Sequence, residues 1–221
     1  MNKFLQFFGT SLGKKILMAC TGLFLCAFLI EHLYGNLMLY RHDNGAAFDL
    51  YTKDMTGSLL IRIIEIGLFA TFFIHIIYGI AITLQNRKAR PIKYAVKNNA
   101  VNSTWFSRNM IVTGLIVLIF LSLHLFNFFI PHRIGNLDAT ETYYQTLLIV
   151  FHSGLYVSVY CLGVLMLGAH LNHGLQSAFQ SLGLKNKKYT ALLSAIGSGF
   201  ALIMTIGFIS FPILFYFGIV G

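Results

Sequence analysis

Residues 109–131 read NMIVTGLIVLIFLSLHLFNFFIP, a stretch of 23 residues with no charged side chain and a single histidine, His124. A helix that crosses a bilayer needs about 20 predominantly apolar residues, so this stretch predicts a membrane span. Four further apolar runs of sufficient length flank it. The five predicted helices cover about 15–40, 60–84, 109–131, 145–182 and 190–217. We expect an all-α integral membrane bundle that forms a single domain over residues 1–221.

The composition favours a membrane protein and excludes a water-soluble globule. Hydrophobic residues make up 57% of the 221 residues and charged residues 10%, whereas an ordinary soluble domain has roughly 45–50% apolar and about 25% charged residues. Five spans nearly exhaust the chain, so chemistry on a polar substrate has to come from a partner. Cys20, Cys26 and Cys161 fall in apolar segments without metal-ligand spacing. We therefore expect neither a thiolate-ligated iron–sulfur cluster nor a c-type haem.

The charges predict an orientation. The chain carries 16 Lys and Arg against 7 Asp and Glu, a net charge of +9. Twelve of the basic residues precede the first helix or lie between the second and third or the fourth and fifth. The positive-inside rule then places the N-terminus in the cytoplasm and the C-terminus outside. The most basic segment, 85–108, is either a topology signal alone or also a docking face for a cytoplasmic partner or acidic cofactor groups. We expect no internal repeat.

Five histidines fall inside predicted spans, with the membrane part of the fourth helix taken as 145–172, and ionisable side chains there are costly and mark functional sites. At 1.5 Å per residue, His32 and His124 both lie roughly 10–12 Å below the outer surface. His75 and His170 lie nearer the cytoplasm and form a second, inner pair. His152 lies at the level of the outer pair and, 18 residues before His170, on the same helical face. Spacing alone does not decide which two of His32, His124 and His152 form the outer pair.

Two levels of paired histidines are typical of two stacked b-type haems, because each haem iron takes one axial imidazole on each face. Small residues near the histidines, including Gly35, Gly79 and Gly174, leave room for a macrocycle or simply allow helices to pack closely. The alternative for each histidine is a hydrogen-bonded packing residue or a proton relay.

The chain resembles a known family at these residues. The segments that carry the resemblance are Thr21-Gly22-Leu23-Phe24-Leu25 ahead of Glu31-His32-Leu33, Gly35-Asn36, His75 with Tyr78-Gly79, His124-Leu125, and His170-Leu171-Asn172-His173-Gly174-Leu175-Gln176-Ser177. Over nearly its whole length the chain is similar to the five-helix dihaem cytochrome b membrane anchor of succinate dehydrogenase and fumarate reductase, the succinate:quinone oxidoreductases of complex II.

The resemblance implies a ligand set and partners. It makes His32 and His124 the axial ligands of an outer haem b, and His75 and His170 those of an inner one. His152 becomes a residue near the quinone, and His173 a neighbour of the inner haem or the subunit interface. The chain then passes electrons between a cytoplasmic iron–sulfur subunit, itself served by a flavoprotein subunit, and a membrane quinone such as menaquinone. The implied location is the bacterial cytoplasmic membrane.

Further site residues are predicted by position. Arg108, Lys185 and Trp105 are candidates for binding the propionates of the inner haem, although Trp105 also suits an interfacial anchor. Glu65 and Glu31 are candidates for proton exchange with a quinone, although Glu31 also suits an ordinary hydrogen bond.

Two other functions share some of these features. Another dihaem quinol-oxidising cytochrome b, such as a nitrate reductase membrane subunit or a transmembrane ferric reductase, would use four similar histidines with different partners. A transporter or structural membrane protein with histidine proton relays would bind no haem.

Overall fold

The computed structural model describes residues 3–89, 108–133 and 142–220, and the regular secondary structure within these ranges is entirely helical. Five of the helices are long and apolar enough to cross a membrane. They are α1 (Ser11–Tyr40), α2 (Leu59–Lys88), α3 (Met110–Arg133), α4 (Gly154–Ser181) and α5 (Thr190–Tyr216). The predicted all-α architecture with five candidate membrane spans is therefore confirmed.

Two of the long helices are not uniformly α-helical. The last turn of α1, Leu37–Tyr40, is a 3₁₀-helix. In α3, a π-helical turn at Leu125–Phe129 follows directly after His124. Single π-turns inside α-helices are rare and occur frequently at functional sites. The turn lies between His124 and the C-terminal end of α3 at Arg133.

The fourth predicted helix, 145–182, is not continuous. A separate helix, Tyr143–Phe151, precedes α4, and the chain changes direction at His152 and Ser153. The Thr142 hydroxyl accepts from the Gln145 amide while the Gln145 side chain accepts from the Thr142 amide, a reciprocal capping box that starts the short helix. Ser153 is extended, with φ −90° and ψ 116°, and starts α4.

A second short helix, Ala46–Gly57, lies in the connection between α1 and α2, and the sequence pattern did not predict it. It begins after Gly45, whose φ of +78° is in the left-handed region, and whose Cα faces the Tyr144 ring too closely for any side chain. Glycine is required there for both reasons. The Asp49 carboxylate accepts from the Tyr144 amide at 3.2 Å. This bond joins the two short helices at one end of the bundle.

The helices pack unevenly around α4. This helix contacts α5, α3 and α1, and the buried apolar core lies mainly among them. By contrast, α2 contacts mainly α1, touches α3 only sparsely and has no buried residue. The side of the bundle bounded by α2 is therefore loosely filled by protein.

Candidate functional site

A cavity of about 1990 Å³ runs between α1, α2, α3 and α4. Typical small-molecule sites enclose roughly 300–1000 Å³, so this space admits more than one ligand of ordinary size. Its lining includes His32, His75, His124 and His170. One end, called the basic end below, is lined by Lys15, Arg87, Arg108 and Lys185, and the other, called the Glu65 end, by Glu31, Glu65 and Arg133.

His32 from α1 and His124 from α3 face one another across the cavity, with ring centroids 5.7 Å apart and ring planes at 86°. Aromatic rings from several helices surround the pair. Phe28 and Phe208 lie beside His32 at 5.5 and 5.6 Å, and Phe128 lies 5.3 Å from His124. The Nδ1 atom of His124 is buried and has no hydrogen-bond partner.

His75 from α2 and His170 from α4 form the second pair, with ring centroids 6.3 Å apart and ring planes at 69°. Each imidazole contacts a threonine of the neighbouring helix. Thr21 Oγ1 lies 3.2 Å from His75 Nδ1, and Thr113 Oγ1 lies 3.4 Å from His170 Nδ1. The described part of the chain therefore contains both histidine pairs that the depth argument predicted.

The two pairs lie at separate levels of the bundle. Thr21 and Thr113 mark the level of the His75–His170 pair, and His32 and His124 each follow their threonine by 11 residues. Eleven residues are three helical turns, or about 16 Å, so threonine and histidine share one helical face. Each of α1 and α3 thus supplies a histidine to one level and a threonine to the other.

These contacts reveal an internal repeat, contrary to our expectation. Residues 18–33 and 110–125 share the pattern M-x2-T-G-L-x4-F-L-x2-H-L, with 8 of 16 positions identical. The partner helices share H-x3-G, at His75 and Gly79 and at His170 and Gly174. A Cβ placed on Gly79 would lie 3.3 Å from Met18, and one on Gly174 would lie 3.4 Å from Met110. The hairpins α1–α2 and α3–α4 therefore repeat the same contacts.

His152 does not join either pair. It is exposed in the turn between Phe151 and Gly154, and it lines a separate shallow pocket with Leu148, Ile149 and Phe215. The expectation that it shares a face with His170 fails because the helix is interrupted between them. Among the three histidines predicted for the outer level, the structure brings together His32 and His124.

The geometry of both pairs fits a metal held between two imidazoles. Metal–imidazole bonds of about 2 Å on both sides of one ion place the ring centroids about 6 Å apart, close to the 5.7 and 6.3 Å observed. A protein zinc site takes three or four side-chain ligands, and the described residues contain no group of three or more His, Cys, Asp or Glu suited to a metal. Two imidazoles per level instead suit an iron whose other positions are filled by a porphyrin.

The basic end carries the residues predicted to bind propionates. Arg108 and Lys185 both line the cavity there, together with Lys15 and Arg87. Trp105, the remaining candidate, lies outside the described residues. His173, three residues after His170, also lines the cavity at this end.

The Glu65 end contains a partly buried ion pair that the sequence pattern did not predict. Arg133 donates to Glu65 at 2.5 Å, and their side chains are only 10% and 20% exposed. Tyr143 lies nearby in the cavity lining, with its ring stacked on His132 at 3.7 Å. Burial raises the pKa of the Tyr143 phenol, with Glu65 acting in the same direction and Arg133 against it.

Glu31, the other predicted carboxylate, accepts a hydrogen bond from the Tyr51 phenol. Tyr51 belongs to the short helix Ala46–Gly57, and it fits against α1 because Gly35 has no side chain. Burial and the bond to Glu31 raise the pKa of Tyr51. Both residues line the cavity, so the phenol oxygen can accept a hydrogen bond from a group in the cavity while its proton is donated to the carboxylate.

Comparison of the chain with models of protein families, with curated proteins and with solved structures finds no match. The fold and the paired histidines describe the class of the chain: a multi-pass helical bundle with two levels of opposed imidazoles in one cavity.

Proposed function

We propose that this chain is the dihaem cytochrome b membrane-anchor subunit of a succinate dehydrogenase or fumarate reductase. One observation carries the haem assignment. Two imidazoles face each other at each of two levels, and the two levels lie about 16 Å apart in one cavity. The choice of this family rests on the sequence resemblance at the same histidines. Succinate chemistry belongs to a partner subunit.

In this proposal the four histidines are axial ligands. His32 and His124 bind one haem b, and His75 and His170 bind the other. Haem supplies one-electron transfer when it is bound, which makes the chain an electron path along the bundle axis. The chain itself orients the imidazoles and surrounds the His32–His124 level with aromatic rings that exclude water.

The basic end is the cytoplasmic end in this proposal. The positive-inside rule supports that orientation, with the N-terminus in the cytoplasm and the C-terminus outside a bacterial cytoplasmic membrane. Arg108 and Lys185 would pair with carboxylate groups of the nearer haem, since both line the cavity there. The same basic surface would receive the iron–sulfur subunit, which in turn binds the flavoprotein.

The quinone site in this proposal lies at the Glu65 end, beside the His32–His124 level. Glu65 and Glu31 line the cavity, and each already has a hydrogen-bonding partner, Arg133 and Tyr51 respectively. A carboxylate with a fixed partner can exchange a proton with a quinone oxygen while its position is held. His152 lines a separate pocket with Leu148, Ile149 and Phe215, so the quinone site proposed here is built on Glu65 and Glu31 alone.

Absorbance spectra of the purified full-length chain and its histidine variants test the proposal. We expect a b-type spectrum after dithionite reduction, with two haems per chain. His32→Ala and His124→Ala should each remove the same haem, and His75→Ala and His170→Ala the other. His152→Ala is the matched control and should retain both.

Three outcomes contradict the proposal at different points. A reduced spectrum without b-type α bands would show that the chain binds no haem and would favour a haem-free membrane protein. Loss of a haem in His152→Ala but not in His124→Ala makes the outer pair wrong. A complex purified from its native membrane without a flavoprotein and an iron–sulfur subunit assigns the chain to another class of dihaem quinol-oxidising cytochrome b.

A further inference from the structure

Thr21 and Thr113 are buried polar side chains in an apolar bundle, with 8% and 2% of their surface exposed. Both lie against the His75–His170 pair. Buried hydroxyl groups in an apolar bundle are retained at a cost unless they form hydrogen bonds. Their shared position next to imidazoles therefore calls for an account beyond packing.

The threonine hydroxyl protons are already used. Thr21 Oγ1 donates to the carbonyl groups of Leu17 and Met18 at 2.9 and 3.0 Å, and Thr113 Oγ1 donates to that of Met110 at 3.0 Å. A hydroxyl has one proton and two lone pairs. Each threonine oxygen can therefore only accept a hydrogen bond from the imidazole. The ring nitrogen that faces it has to carry the N–H proton of the neutral imidazole.

The facing nitrogen is Nδ1 in both histidines. A neutral imidazole protonated on Nδ1 has its lone pair on Nε2. Nε2 is then free to bind a metal in the space between the two rings. Thr21 on α1 and Thr113 on α3 thus set the tautomer in which Nε2 of His75 and of His170 can bind a metal.

The glycine after each threonine leaves room for the same ring. A Cβ on Gly22 would lie 3.4 Å from His75 Cε1, and one on Gly114 would lie 3.3 Å from His170 Cε1. In each Thr-Gly dipeptide the threonine oxygen thus lies within hydrogen-bond distance of Nδ1, and the glycine places no side chain against the neighbouring Cε1. The same contacts occur in both halves of the repeat, so the arrangement is found twice independently.

At the His32–His124 level, the imidazole of His124 lacks such a hydrogen bond. The Nδ1 atom of His124 is buried without a hydrogen-bond partner. A hydrogen bond from the second ring nitrogen raises the basicity of a metal-bound imidazole, and a more basic ligand favours the oxidised metal. The two levels are therefore built to hold metal centres of different electron affinity.

We propose that Thr21 and Thr113 are positioning residues that select the Nδ1-protonated tautomer of His75 and His170 and lower the reduction potential at that level. This inference rests on the proposed function, because it requires haem between the two imidazoles. It concerns only what the hydroxyl groups do to the ligands and leaves the identity of the partners open.

The test is a potentiometric titration of the purified full-length chain, with wild-type protein compared with Thr21→Val and Thr113→Val. Valine keeps the shape and removes the acceptor. We expect each variant to raise the midpoint potential of the same haem, the one lost in His75→Ala, and the double variant to raise it further. A tenfold loss of preference for oxidised iron corresponds to about 59 mV for a one-electron couple.

Two controls separate the hydrogen bond from packing. Thr21→Ser and Thr113→Ser restore the hydroxyl and should return the potential to that of the wild type. Thr71→Val removes a hydroxyl that donates to its own helix at Gly67, and it should shift neither haem. Electron paramagnetic resonance of the oxidised protein should change only in the valine variants, because ring orientation affects the signal of a low-spin haem.

The outcomes distinguish this inference from the proposed function. Wild-type protein without haem overturns both. Two haems in the wild type with unchanged potentials and spectra in the valine variants overturn this inference alone. Equal shifts of both haems in the valine variants, or shifts that serine does not reverse, also overturn it, since they indicate a general effect on packing.

Discussion

Replacing Glu65 by glutamine should destabilise the protein by about 2–3 kcal/mol. Removal of one partner from a fully buried ion pair costs about 3–5 kcal/mol because it leaves an uncompensated charge, whereas exposed pairs contribute about 0–1 kcal/mol. The Arg133 and Glu65 side chains are 10% and 20% exposed, which places the pair nearer the buried limit. Thr56 offers Arg133 only a carbonyl oxygen at 3.5 Å, too far to replace the carboxylate.

A double-mutant cycle measures this interaction directly. Glu65→Gln, Arg133→Gln and the double variant are titrated with denaturant in detergent and followed by far-ultraviolet circular dichroism. We expect the double variant to be less destabilised than the sum of the single variants by about 2 kcal/mol, in the range found for contacting residues. Because a buried pair is screened little by salt, the coupling should persist at about 1 M ionic strength. Additivity within about 0.5 kcal/mol would refute the view that the pair is desolvated.

Three further substitutions probe other parts of the structure. Gly163→Ala places a Cβ on a phenylalanine ring of α3 and should destabilise the protein by about 1–3 kcal/mol; Gly199→Ala, with no atom within 4 Å of its Cβ, should not lower the melting temperature. Thr142→Ala removes a helix cap and should cost about 1 kcal/mol in the same thermal assay, while Thr142→Ser should not. Tyr51→Phe removes the donor to Glu31 and should slow quinone turnover in the intact complex while the haem spectrum stays unchanged; equal turnover would contradict the placement of the quinone.

The sequence predicted five long apolar helices and two pairs of histidines at matched levels, because both follow from residue positions along the chain. Apolar length locates a span, and the fixed rise of an α-helix turns residue number into depth. His32 and His124 were counted from the same side, so errors in the estimated membrane boundary affected both equally. Their pairing in the structure therefore needed no knowledge of which helices are neighbours.

Contacts that depend on rotation about the helix axes were not predictable in this way. Glu65 was predicted only as a candidate for proton exchange with a quinone, and nothing in the sequence shows that α2 and α3 turn Glu65 and Arg133 toward each other. The interruption at His152 was missed because only the short run His152-Ser153-Gly154 breaks the apolar pattern there, and tertiary packing decides whether such a segment bends. The capping box at Thr142 was the available local signal.

The repeat was present in the sequence and was still missed. Eight identities in 16 residues are weak when most positions in both segments are large and apolar. The structure made the pattern visible because it showed the same atoms of Thr21 and Thr113 against equivalent histidines. The threonines and histidines inside the apolar helices identify the repeat, and a comparison of their spacing alone would have found the repeat.

The loose packing of α2 has a consequence for how the protein can be handled. None of its 30 residues is buried, and in a bilayer tight van der Waals packing is a main source of attachment between helices. Lateral pressure from the surrounding lipid therefore contributes more to the docking of α2 than to that of α5, which has buried residues along its length. In the haem-free chain, we expect delipidation by strong detergents to release α2 first and to separate His75 from His170 while the His32–His124 level stays closed.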